Sequence, residues 1–145
     1  MKRFTFFCIL GIISSLILKS QSVYDPLNAE IIANKLYNNT ELTQQEAINA
    51  VNYAIIGLSK IEESGEQMLK NYPAGSNWKK FHRDFEEVEE EYDATFTFMD
   101  FIDKFKNKLP DEIYAKYTIS LRKYNSWYSK FCDKQTKYTN CPYNK

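Results

Sequence analysis

The chain has 145 residues with 19 Lys+Arg against 19 Asp+Glu, so it is formally neutral. That length fits one domain with a core of its own, and the balance lacks the positive excess of a nucleic-acid binder. Glycine and proline number four each, too few for the many turns of an all-β domain, so the composition leans helical.

Lys2 and Arg3 open the chain, and an apolar run follows from Phe4 to Leu18. Ser20-Gln21-Ser22 then places small residues at the −3 and −1 positions of a cleavage site. A charged start, a short apolar stretch and a small-x-small exit define a secretory signal peptide over residues 1–22. The run is short of the ~20 residues that a membrane span needs. The expected mature protein is one domain over 23–145, secreted and therefore extracellular, or periplasmic in a bacterium, with no membrane insertion after cleavage. Removing Lys2, Arg3 and Lys19 leaves 16 basic residues (19 minus 3) against 19 acidic, a net charge of −3.

Asp25-Pro26 is a helix start, an N-cap followed by proline at the first position. Leu27, Ile31, Ile32, Ala33 and Leu36 predict a short helix to Tyr37, and Asn38-Asn39-Thr40 breaks it. The same three residues make Asn38 an N-glycosylation acceptor if the source is eukaryotic. Thr43 and Glu46 form a capping box. From there Ala47, Val51, Ala54, Leu58, Ile61, Gly65 and Met68 alternate steps of four and three, a heptad seam running to about Lys70. Gly65 lies on that seam, where a missing side chain permits close helix approach.

Residues 71–77 form a turn. A third helix is expected from Trp78, with the stripe Phe81, Phe85, Val88, Tyr92, Thr95, Met99 and Ile102. Phe96, Phe98, Phe101 and Phe105 broaden its apolar face, so the densest core is expected there. Pro110 separates this helix from a fourth, which carries Tyr114, Tyr117, Leu121, Tyr124, Tyr128 and Phe131 with Ile113 and Trp127 flanking. The tail after Cys132 has no periodicity. The expected fold is all-α: an antiparallel bundle of three long helices plus one short N-terminal helix.

Cys8 belongs to the leader, which leaves Cys132 and Cys141, an even pair in an exported chain. A disulfide closing the tail is the expectation. No catalytic residue, metal site or cofactor is predicted. His82, the single histidine, lacks a partner nucleophile and reads as a solvated helix residue. The acids Glu86, Glu87, Glu89, Glu90, Glu91 and Asp93 lack the Glu-x-x-His pairs of a di-metal bundle and the spacing of a calcium loop. They read as a wet face.

The function expected from this balance is non-enzymatic: a secreted bundle that binds a protein partner and not nucleic acid. The aromatic stripes leave open a carrier of a small apolar, lipid-like ligand. The Val23-Tyr24-Asp25-Pro26 start followed by polar helices resembles small periplasmic components of bacterial conjugation machines. That implies a further alternative, a component of a bacterial envelope machine, and assigns no residue a role.

Overall fold

The computed structural model describes residues 23–143, and the expected signal peptide over residues 1–22 lies outside them. Six α-helices and no strand make up the described chain. They are α1 (Pro26–Tyr37), α2 (Gln44–Asn71), α3 (Trp78–Glu91), α4 (Asp93–Asp100), α5 (Ile102–Phe105) and α6 (Asp111–Gln135), with a 3-10 turn at Lys106–Lys108 before Pro110. α2 is the hub, packing on α1, α3, α4 and α6.

The start signals act as the sequence implies. Asp25 Oδ1 accepts the Asn28 amide at 3.1 Å. Thr43 Oγ1 accepts the Glu46 amide at 3.2 Å, while Glu46 Oε2 takes the Thr43 amide at 2.9 Å. Lys35 of α1 pairs with Glu46, tying the first two helices at this cap. The α2 seam is buried from Ala47 through Leu58 and Ile61 to Gly65. The buried face of α1 differs from expectation. It is Ala29, Ile32, Ala33 and Leu36, while Leu27 and Ile31 are exposed. The set at steps of three and four is the one α1 turns toward α2 and α4.

The expected third helix is not continuous. It breaks at Tyr92 (φ −117°, ψ 25°) and again at Phe101 (φ −102°, ψ 8°). Neither break holds proline or glycine. At the first, acids accumulate toward the negative end of α3's dipole with no base in the last turn. Each such charge costs about 0.3–1 kcal/mol. At both, the chain re-aims its rings. Phe81 and Phe85 enter one cluster with Leu58, Ile61, Tyr124, Trp127, Phe131 and Tyr138. Phe98 and Phe105 enter the other, with Ala29, Ile32, Val51 and Tyr117. Met99 and Leu121 touch both. Of the four phenylalanines expected to make the densest core, Phe98 and Phe105 are buried and Phe96 and Phe101 only half-buried. α6 is turned slightly from its expected stripe. Trp127 is buried, and Tyr114 and Tyr128 reach solvent.

Two glycines let neighbours close on α2. A Cβ at Gly57 would run into Thr95 of α4, lying 3.0 Å from its Cβ. A Cβ at Gly65 would stand 2.6 Å from the Trp127 ring. Thr95 is fully buried, and its Oγ1 has no well-formed hydrogen bond although the Tyr24 hydroxyl is nearby.

The expected disulfide is absent. Cys132 and Cys141 are free thiols, the first half-buried and the second buried. The tail is closed by other means. Gly75 N–H donates to Lys137 O at 3.0 Å, Thr139 N–H to Ser76 O at 2.9 Å, and Trp78 N–H to Thr139 O at 3.0 Å. Tyr138, 3% exposed, donates its hydroxyl to Tyr72 O at 2.9 Å. This pairing holds the tail along the 72–78 turn, while Cys132 faces the tyrosines of α6. Reductant should therefore leave the melting temperature unchanged. Tyr138→Ala should cost about 3–5 kcal/mol, the range for emptying a large aromatic site, as read by urea denaturation.

Candidate functional site

α3 and α6 meet through a layer of aromatic rings, and we call the surface where they meet the α3–α6 groove. The Phe81, Phe85, Trp127 and Phe131 rings fill the space between them, with Phe85–Phe131 centroids 4.6 Å apart and Trp127–Phe131 4.7 Å apart. Above that floor, Trp78, His82, Glu86 and Glu89 recur at steps of four, four and three on the α3 side. Tyr124, Tyr128 and Cys132 line the α6 side, and Tyr143 closes one end.

The rings hold one another in place. Trp78 stacks on His82 at 4.5 Å and meets Tyr143 edge-on at 6.2 Å. Its Nε1 donates to Gln135 Oε1 at 3.1 Å, which fixes the indole against α6. Tyr124 and Tyr128 stack at 5.7 Å. Tyr128 and Tyr143 remain 38% and 69% exposed. On the opposite flank of α6, Trp127 Nε1 donates to Glu66 Oε1 at 2.8 Å. That bond is the main reason the Glu66 carboxyl sits below its ordinary range, with Lys134 adding to it.

His82 is half-exposed and lies 3.3 Å from Glu86, in line with the solvated reading. The acidic run is a wet face except at Glu89. That carboxyl is half-buried and makes no ion pair or hydrogen bond with a described residue. Burial pushes its pKa up, Glu86 adds to the rise, and His82 opposes it. Helical spacing puts it on the same side stripe as Trp78 and His82, but its burial depends on where α6 lies.

Burial also raises Cys132, with Asp133 and Glu89 contributing against the Tyr128 hydroxyl. Tyr128 itself is pushed up to about 12, chiefly by burial. Glu86, Glu89, Glu90, Asp93 and Phe96 outline an open cleft of about 330 Å³. Among the described residues, no three His, Cys, Asp or Glu side chains converge as a metal set. No described helix is long and apolar enough to cross a membrane. Asn38 lies on the exposed turn after α1, its side-chain amide donating to Asn34 O at 2.9 Å.

Comparison of the chain with protein-family models, curated proteins and solved structures finds no match.

Glu89 gives a pH prediction. A carboxyl whose folded pKa is raised favours folding in its protonated form. That contribution is complete below the unfolded value of ~4.3 and is lost as pH rises through the folded value. Glu89→Gln should therefore be more stable than the parent at pH ~7, and the difference should vanish near pH ~3.5. Urea melts at the two pH values check this.

Proposed function

We propose that the mature protein is an exported, non-enzymatic helical protein that acts by binding a protein partner through the α3–α6 groove. One observation carries this reading. A row of rings, the half-buried Trp78 with the exposed Tyr128 and Tyr143, lies over a filled aromatic floor, beside the unpaired Glu89. Trp and Tyr on a rigid base are the side chains that dominate binding energy at interfaces.

Two further points support it. The thiols and the histidine do not form a nucleophile–base pair, and a thiol with a raised pKa is a poor nucleophile. Carrier sites are concave and mostly apolar, whereas the cleft beside Glu89 is open and acidic. The side chains that a carrier would splay around its ligand are used in packing: Phe96 against one cluster, Phe101 against the other, Met99 against both. An envelope-machine component would use the same surface in the same way.

The test places a photo-crosslinking residue at Tyr128 and, as a control, at Lys116 on the other half of α6. The groove position should capture one protein in the native source and the control should not. Equal capture at both positions, or a native mass spectrum showing a retained lipid, would contradict the proposal.

A further inference from the structure

The tail ladder gathers charges that are scattered in the sequence. Lys70 ends α2, Lys79, Lys80 and Arg83 lie in the first half of α3, Lys134 ends α6, and Lys137 lies in the paired tail. All six are exposed. Arg83 pairs with Asp84 and Lys134 with Glu66, but the other four make no ion pair among the described residues. Lys130, one turn before Lys134, is unpaired too.

The contrast with the rest of the molecule is what gives this weight. Lys35, Lys60, Lys106, Lys108, Lys116 and Lys123 each sit on a carboxylate, and Lys104 bonds Asn39. Arg122 alone is unpaired there. At the tail end two nearby acids are already engaged: Glu66 by Trp127 and Lys134, Asp84 by Tyr72 and Arg83. Asp133 makes no ion pair. Lys70 and Lys134 suit the negative ends of their helices, but Lys79 and Lys80 occupy the positive end of α3. Helix electrostatics disfavours them there; Lys80 lies over the Tyr72 ring at 5.9 Å, whereas Lys79 makes no ion pair or ring contact with a described residue.

We propose that this end of the bundle is an electrostatic docking surface for an anionic phospholipid membrane. The cations are lysines with one exception, flexible point charges suited to a diffuse field and not to bidentate phosphate reading. Lys79, Lys80 and Lys137 lie next in sequence to the 72–78 turn and its paired tail, where Pro73, Ala74, Pro142 and Tyr143 are exposed. Trp78, the large ring available for stacking a base, already has His82 on one face. The unpaired acids of α3 lie farther along the same helix, so the molecule is polarised and would dock in one orientation. The surface shares Tyr143 with the α3–α6 reading but rests on the unpaired lysines, so it stands if that reading fails.

The test is co-sedimentation of the exported protein with phosphatidylcholine vesicles, with and without about one-third phosphatidylserine. Binding should need the anionic lipid and weaken sharply at ~0.5 M salt. The triple change K79A/K80A/K137A should lower the partition coefficient roughly a hundredfold, about fivefold per lysine. K60A/K116A/K123A removes the same charge elsewhere and should change binding less than about threefold. Circular dichroism confirms that each variant is folded. Equal binding to neutral vesicles, equal loss in both triples, or no vesicle binding would overturn the proposal. So would heparin or DNA binding lost in K79A/K80A/K137A while vesicles stay unbound, since the surface would then read a polymer.

Discussion

Two positions on α2 have no side chain, and the space each leaves is occupied. Thr95 sits at Gly57 and the Trp127 ring sits at Gly65. The first contact draws α4 onto the middle of α2, between the two core clusters. The second seats the ring that anchors α6 and donates to Glu66. Glycine in a helix interior costs ~1 kcal/mol against alanine, so both positions trade helix stability for close approach. The breaks around α4 follow from the same constraint. The breaks at Tyr92 and Phe101 split the segment from Trp78 to Phe105 between the two clusters, with Phe81 in one and Phe98 and Phe105 in the other.

The sequence showed its local signals clearly. The Asp25-Pro26 start, the Thr43/Glu46 capping box, the α2 seam and the stop at Pro110 depend on neighbours a few residues apart, and each is where the pattern places it. Readings that needed long-range partners fared worse. Leu27 and Ile31 looked as apolar as Ile32 and Leu36, and only the position of α2 and α4 separates them. Tyr128 and Trp127 are adjacent, and a small rotation of α6 decides which is buried. The tail had no periodicity because its order comes from pairing with Ser76 and Trp78, some 60 positions away. Cysteine parity argued for a bond, yet the tail is held by Tyr138 and backbone pairs with both thiols free.

The same distinction applies to the candidate sites. His82 and most of the acidic run were legible as solvated, because helical spacing alone sets their direction. Glu89 was not, since its half-burial depends on where α6 places Tyr124 and Tyr128. The lysines of the tail end were invisible as a group. No short stretch is polybasic, and the net charge of the chain conceals a local excess. Folding brings three segments together there and engages Glu66 and Asp84, which leaves cations without partners on one side and carboxylates without partners along α3.

The dependence on close approach to α2 is tested most directly by a double-mutant cycle at Gly57 and Thr95, read by urea denaturation. Gly57→Ala should gain ~1 kcal/mol of helix propensity yet destabilise the protein by about 1–3 kcal/mol through overpacking. In a Thr95→Ala background, where only the 3.0 Å Cβ contact is left, the same change should destabilise much less, a coupling of about 1–3 kcal/mol. Additive effects, or a stabilising Gly57→Ala in the parent chain, would show that Thr95 does not press on α2 and would contradict the account.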